Sequence, residues 1–281
     1  MTIKKNTGFN RNRTFGIEIE GLSPVGRERL AQILQRAGVQ CHYEGYNHRT
    51  RSHWKIVTDG SIIEQNGEYG FELVSPPLRG AHGLEEIKKV CKALNEAGCK
   101  VNRSCGLHVH HDASDYGVSQ FRNLYAIYIR FETAIDELVS ESRRGYRNRF
   151  CMGFRDTRLL EALKNVKCMD ELLSDVFPSR YVKLNCHSYA VHGTIEFRQH
   201  QGTMDGEKIT NWVVLTQMMV DRAVESTVQM KSGANDWFNL KKVIRGYKWM
   251  GADETQQEAV SYYNKRRQAF MKAAPTASAE G

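Results

Sequence analysis

The chain has 281 residues, 41% of them apolar, and a formal net charge of +8; this is ample for a core without staples and ordinary for a globular protein. No apolar run approaches the ~18 residues of a membrane span, the opening Met-Thr-Ile-Lys-Lys-Asn lacks the apolar stretch of a secretion signal, and the seven cysteines are scattered without a CxxC pair, which predicts reduced thiols in a cytoplasmic protein. Positive charge gathers at 4–13, 143–149, 241–248 and 265–272, a pattern open to nucleic acid but without an RRM, KH, zinc-finger or homeodomain signature.

After a basic arm (1–13), residues 14–21 read as a strand. Glu18 and Glu20 share one face, with Ile17 and Ile19 on the other. Two like charges so placed repel, and burial worsens the repulsion; solvent or a bound divalent cation would relieve it. The flanking Phe15 and Leu22 predict an interior strand. Ser23-Pro24 reads as the cap and first residue of a helix that stops at Gly38. Strands follow near 39–45, 53–58 and 70–75. Asp59-Gly60 reads as a hairpin turn, and Glu72 sits in an apolar strand that Pro76-Pro77 ends. An amphipathic helix spans 82–97, with Leu84, Ile87, Val90 and Leu94 on one stripe.

The strand predicted at 100–111 sets His108 and His110 on one face and Val109 on the other. Ser119 opens a long helix whose Phe121, Tyr125, Tyr128 and Phe131 form a core stripe. Arg143, Arg144 and Arg147 surround Gly145 in a loop that either closes over a substrate carboxylate or nucleotide or is simply an exposed basic loop. Strands at 180–188 and 193–200 form a hairpin across His192-Gly193. The second of them puts Glu196, Arg198 and His200 on one face, opposite Ile195, Phe197 and Gln199. A carboxylate, a guanidinium and an imidazole in a row are costly to bury without partners. Glu196 suits a hard cation and Arg198 a phosphate or carboxylate, although a solvated strand face shows the same alternation. Helices at 204–228, 235–249 and 254–271 precede a disordered tail, 273–281. Antiparallel hairpins beside helices argue for the α+β class.

Four motifs in this order, FGIEIEG (15–21), DGSI with FELVSPPL (59–62, 71–78), CGLHVHHD (105–112) and GTIEFRQHQGT (193–203), resemble the amidoligase family of the carboxylate–amine ligase superfamily, which includes glutamine synthetase and glutamate–cysteine ligase. SRRGYRNRFC (142–151) and YVKLN (181–185) are weaker matches, and the likeness runs from about Phe15 to Ala223. It implies a glutamine synthetase-like catalytic domain at 14–230: a curved, mostly antiparallel sheet with helices on its convex face and metals and nucleotide on its concave one. A C-terminal helical extension, 231–272, follows.

The resemblance also implies an ATP-dependent ligase that forms an amide bond through an acyl phosphate. Two or three Mg2+ or Mn2+ ions would be held by Glu18, Glu20, Glu72, His108 and Glu196. Arg198 would grip the transferring phosphoryl group, with Glu196 and His200 beside it at the reaction centre and Arg144 and Arg147 reaching the nucleotide. His110 would support the ligands, and Asp59 is either a turn former or a further ligand. The partners would be an amino-acid or amine donor and a carboxylate acceptor, free or on a peptide, protein or other polymer. Two other readings stay open: a metal-dependent hydrolase built on His108-Val109-His110, and a basic nucleic-acid-binding protein without catalysis.

Overall fold

β1 (Thr14–Ser23) carries isoleucines and glutamates in alternation. In the computed structural model, which describes residues 9, 12–146, 148–154, 158–225 and 234–273, it lies in the middle of one open sheet. The other strands are β2 (Cys41–Tyr43), β3 (Trp54–Val57), β4 (Tyr69–Val74), β5 (Leu78–Arg79), β6 (Gly106–Asp112), β7 (Leu184–Asn185) and β8 (Thr194–Gln201). Their order is β2-β3-β4-β1-β6-β8-β7, with β5 beside the start of β1. β2 and β3 run parallel and the other pairs antiparallel.

The helices are α1 (Arg27–Arg36), α2 (Gly80–Glu96), α3 (Val118–Asp136), α4 (Arg158–Asn165), α5 (Met169–Glu171), α6 (Ser188–His192), α7 (Gly206–Glu225), α8 (Trp237–Val243) and α9 (Glu254–Ala273). The fold is thus α+β, with a mostly antiparallel sheet.

Cross-strand partners share a face, so the ladder Phe71–Gly21, Leu73–Ile19–Leu107 and Ile17–Val109–Phe197 makes one side of the sheet apolar. Those large side chains are fully buried in one core with the helices, each contributing roughly 1.5–3 kcal/mol by leaving water. α7 lies at the heart of that core through Trp212, Leu215 and Met219. Trp237 of α8 and Tyr263 of α9 join the same core, the Tyr263 ring 6.2 Å from Trp212. The charged residues are left on the opposite side of the sheet. No helix among the described residues is long and apolar enough to cross a membrane.

Several elements depart from the sequence expectation. Ser23 ends β1, opposite Tyr69 of β4, instead of capping a helix; its hydroxyl accepts from the Val25 amide, and α1 starts later, after Gly26. Strand pairing has outcompeted the local cap. β6 starts at Gly106 rather than near 100, because Asn102 folds the preceding residues into a turn through the Ser104 amide. The connection at Asp59-Gly60 runs from 58 to 68, too long for a two-residue hairpin, and Asp59 Oδ1 accepts from the Ser61 amide at 2.6 Å.

β7 and β8 are joined by a helical turn, α6, which Gly193 ends at φ 66°, a left-handed conformation that favours glycine. The helix expected over 235–249 stops at Val243, and Arg245 turns left-handed at φ 56° before a separate turn at Lys248–Met250. α4, α5 and the wide helical turn Leu172–Val176 add to the expected elements, although Leu159 and Leu163 of α4 stand one helical turn apart in the sequence. Of the basic arm, residues 1–8, 10 and 11 lie outside the described residues, as do Arg147 and 274–281 of the tail. Arg13 is buried, its guanidinium 2.7 Å from both Asp115 and Asp221.

Candidate active site

The register that buries the isoleucines assembles the acids on the other face. Glu20 of β1 stands opposite Glu72 of β4, Glu18 opposite His108 of β6, and His110 opposite Glu196 of β8. His108 is the hub. Its Nδ1 is 2.8 Å from Glu18 Oε2 and 3.4 Å from Glu196 Oε1, and its Nε2 is 3.5 Å from Glu20 Oε1. Two groups could each hold a cation: Glu18, His108 and Glu196, and Glu20, Glu72 and His108. Within each, one ligand atom per residue lies within 4.8 Å of the others.

Secondary contacts hold these side chains in place. Glu20 accepts from the Gly106 amide at 2.6 Å, Glu196 accepts from Asn185 Nδ2 at 2.7 Å, and Arg198 Nη1 donates to Glu196 Oε1 at 2.5 Å. His110 Nε2 is 3.3 Å from Glu18, and its Nδ1 meets the Thr194 hydroxyl at 3.0 Å.

The electrostatics follow from this packing. Burial alone would raise the Glu18 carboxyl, but His110 and His108 overcome it and hold Glu18 well below the usual carboxylate range. Glu196 is likewise drawn down against burial, chiefly by Arg198 and His110. At Glu72 the acids prevail: burial, and then the charges of Glu18 and Glu20, push it well above the usual range. His110 is raised because Glu18 outweighs the effect of burial. A divalent cation would relieve the repulsion around Glu72, and the carboxylate-rich donor set fits magnesium or manganese better than zinc.

These residues floor a cavity of about 460 Å3. Asp59, Arg143, Arg180 and Tyr181 also line it. A second cavity of about 190 Å3 adjoins it across Glu18, Glu72, His110 and His192, and is lined as well by the 47–51 loop. That loop is tied down by buried Lys55, whose Nζ donates to the Asn47 carbonyl at 3.0 Å and the Arg49 carbonyl at 2.8 Å.

The structure therefore brings together Glu18, Glu20, Glu72, His108, Glu196 and Arg198. His200 is not with them. β8 bulges: Leu107 pairs with His200 and Val109 with Phe197, so Arg198 and Gln199 together oppose His108. One extra residue in a strand flips everything beyond it. His200 consequently shares the face of Leu107. It is fully buried, its ring 5.2 Å from Trp212, and burial depresses its pKa to about 3.

Arg144 is also elsewhere; it donates to the Val139 carbonyl and lies over Phe270 of α9. Its neighbour Arg143 is the one that lines the cavity, buried, with one guanidinium nitrogen donating to the Cys105 carbonyl. Asn185 and His192 were missed as site residues because no periodicity marks them, and Arg143 was singled out only as one of three arginines in the basic loop. The YVKLN stretch was the one available pointer to Asn185.

A family model described as "Putative amidoligase enzyme" matches residues 11–220. No curated protein matches the sequence. Among solved structures, a bifunctional glutathione synthetase from Pasteurella multocida aligns at 11% identity and TM-score 0.44, over 94% of this chain and 50% of that one. The ligase PafA, in a complex with the prokaryotic ubiquitin-like protein Pup, aligns at 9% identity and TM-score 0.49, over 97% and 65%. A glutamine synthase homologue aligns at 11% and 0.42, over 95% and 68%. The chain thus spans about half to two thirds of these chains, and at such scores the likenesses carry no assignment of activity or substrate. The family model covers most of the chain, including every strand that contributes to the acidic cavity, and the chain belongs to the amidoligase family.

Proposed function

We propose that this chain is an ATP-dependent ligase that joins a carboxylate to an amine through an acyl phosphate. The observation that carries this reading is the convergence of Glu18, Glu20, Glu72, His108 and Glu196, from four strands, on one cavity beside Arg198. Joining a carboxylate to an amine in water is uphill, and the two reactants to be brought together, ATP and a carboxylate, are both anionic. Bound at the two acidic groups, Mg2+ or Mn2+ would neutralise the phosphates and hold them in line for transfer.

The remaining steps belong to the chain's own groups. Arg198, oriented by Glu196, offers a planar fork to the transferring phosphoryl group and stabilises charge that develops in the transition state. Asn185 keeps Glu196 from turning away. An oxygen of the substrate carboxylate attacks the γ-phosphorus and ADP leaves. The amine then attacks the acyl carbon, the C–N bond forms, phosphate departs with the C–O bond electrons, and the nitrogen loses a proton. The partners in this reading are an amino-acid or amine donor and a carboxylate acceptor, free or on a peptide, protein or other polymer.

The test is turnover of ATP and Mg2+ against a panel of amino acids, polyamines and peptides, with mass spectrometry of the products. ADP release that depends on both partners, together with a product lighter by one water than their sum, is the expected result. Tight stoichiometric zinc with amide hydrolysis independent of nucleotide would overturn it in favour of a hydrolase built on His108 and His110.

A further inference from the structure

Beneath the loop that carries Arg143 lies a largely buried charged cluster that the proposed chemistry does not use. Lys183, just before β7, is wholly buried, and its Nζ donates at 2.6 Å to Glu132 Oε1 and at 2.6 Å to Asp136 Oδ1, both on α3. Each carboxylate has a second contact, to the loop. Asp136 Oδ2 accepts from the Gly145 amide at 2.9 Å, and Glu132 accepts from the Phe154 amide at 3.0 Å. The two amides stand at opposite ends of the loop. Gly153 is bare where Glu132 reaches in; a Cβ there would collide with Glu132 Oε1 and the Gly145 carbonyl.

The backbone of Lys183 completes the arrangement. Its amide donates to the Met152 carbonyl at 3.0 Å, and its carbonyl accepts from the Arg198 amide at 2.9 Å. One residue thus fastens the loop and β8 to α3. The loop in turn sets two of the cavity's arginines, Arg143 and Arg198. Arg143 reaches across Gly106 toward His108: a Cβ on Gly106 would lie 3.4 Å from each terminal Arg143 nitrogen and 3.2 Å from His108 Nε2. The Phe150 carbonyl accepts from Arg198 Nε at 3.3 Å. Two buried charges and a third that is only partly exposed are a poor way to stabilise a core, since apolar groups of similar volume do as well or better. Their geometry is better explained by what they hold.

We infer that Lys183, Glu132 and Asp136 are positioning residues, a charged latch that clamps both ends of the 143–154 loop so that Arg143 and Arg198 face the acidic cluster. What the two arginines hold, the phosphates of ATP, rests on the ligase reading above. The latch itself rests on the contacts just given.

The test uses the full chain with Asp136→Asn and, separately, Gly153→Ala. The carboxamide introduced by Asp136→Asn would set an NH2 group against either the Gly145 amide or the Lys183 ammonium. Gly153→Ala pushes Glu132 off the Phe154 amide without removing a charge, and so serves where the first variant fails to fold. With saturating Mn2+, affinity for a non-hydrolysable ATP analogue should fall about tenfold to a hundredfold, as when supporting contacts of a site are cut. Affinity for Mn2+ alone should be unchanged, and the Gly145 and Phe154 amides should exchange faster with deuterium.

Wild-type analogue affinity in both variants would overturn the inference. So would an equal loss of Mn2+ affinity, which would make the cluster a general support of the sheet. If the wild-type chain bound Mn2+ but no nucleotide, the ligase reading would fall. The latch would then be judged on exchange alone, with unchanged Gly145 and Phe154 protection refuting it.

Discussion

Glu72→Gln should stabilise the metal-free protein and weaken its response to metal. Glu20 and Glu72 are cross-strand partners whose carboxylate oxygens lie within 4.8 Å of each other. At that separation and an effective dielectric of ~20, two unit charges repel by about 3.5 kcal/mol. Protonation caps the cost, because keeping an ordinary carboxyl neutral at pH 7 takes about 3.7 kcal/mol. After partial screening, a gain of about 2 kcal/mol is expected on removing the charge, or roughly 3–4 °C in Tm for a chain of this length.

The sign with pH follows from the direction of the Glu72 shift. Its pKa is raised on folding, first by burial and then by Glu18 and Glu20. The unfolded chain therefore gives up this proton more readily, and the penalty grows as pH rises through the ordinary carboxylate range. Below about pH 4 the advantage of the variant should vanish. The assay is thermal and urea unfolding in EDTA and again with excess MnCl2. Mn2+ at 100 times its Kd should stabilise the wild type by about 2.7 kcal/mol, and the variant by less. A Glu72→Gln protein that is less stable in EDTA, or that gains as much from Mn2+ as the wild type, would refute the reasoning.

Other outcomes can be checked alongside it. Glu196→Gln should keep the fold and abolish ATP-dependent ligation, since it removes a charged ligand and the partner of Arg198 at almost constant volume; near-normal turnover would count against the assignment. Arg198→Lys should lose most activity despite retaining the charge, because a point charge cannot replace a planar fork, and steady-state kinetics would show whether kcat carries the loss. His200→Phe should leave Mn2+ binding intact, as His200 faces Trp212 and not the acids. Burial depresses the His200 pKa to about 3, so the wild type loses stability as pH falls below the unfolded value near 6.5. The Phe variant should remove about 2 kcal/mol of that loss at pH 5, and an unchanged acid profile in urea titrations would contradict the placement.

Alternation along a strand is a local property, and it let the sequence alone determine much. The face shared by Glu18 and Glu20, the apolar setting of Glu72, the pairing of His108 with His110 on one side, and the α+β class all follow from side chains that alternate across a pleat. The order of the four motifs also sufficed to point to the family. Local pattern says nothing of which residues stand opposite each other, and that is where the tertiary structure took over. Register carried Glu20 to Glu72 and Glu18 to His108.

A single extra residue in β8, invisible in its composition, rotated His200 out of the row that simple alternation gives it with Glu196 and Arg198. The choice between neighbouring arginines was also a matter of tertiary packing: Arg143 enters the cavity while Arg144 rests on α9. Asn185 and Lys183 matter through partners 11 and 51 residues away in the chain. Contacts at such separations arise from packing, and no window of sequence contains them.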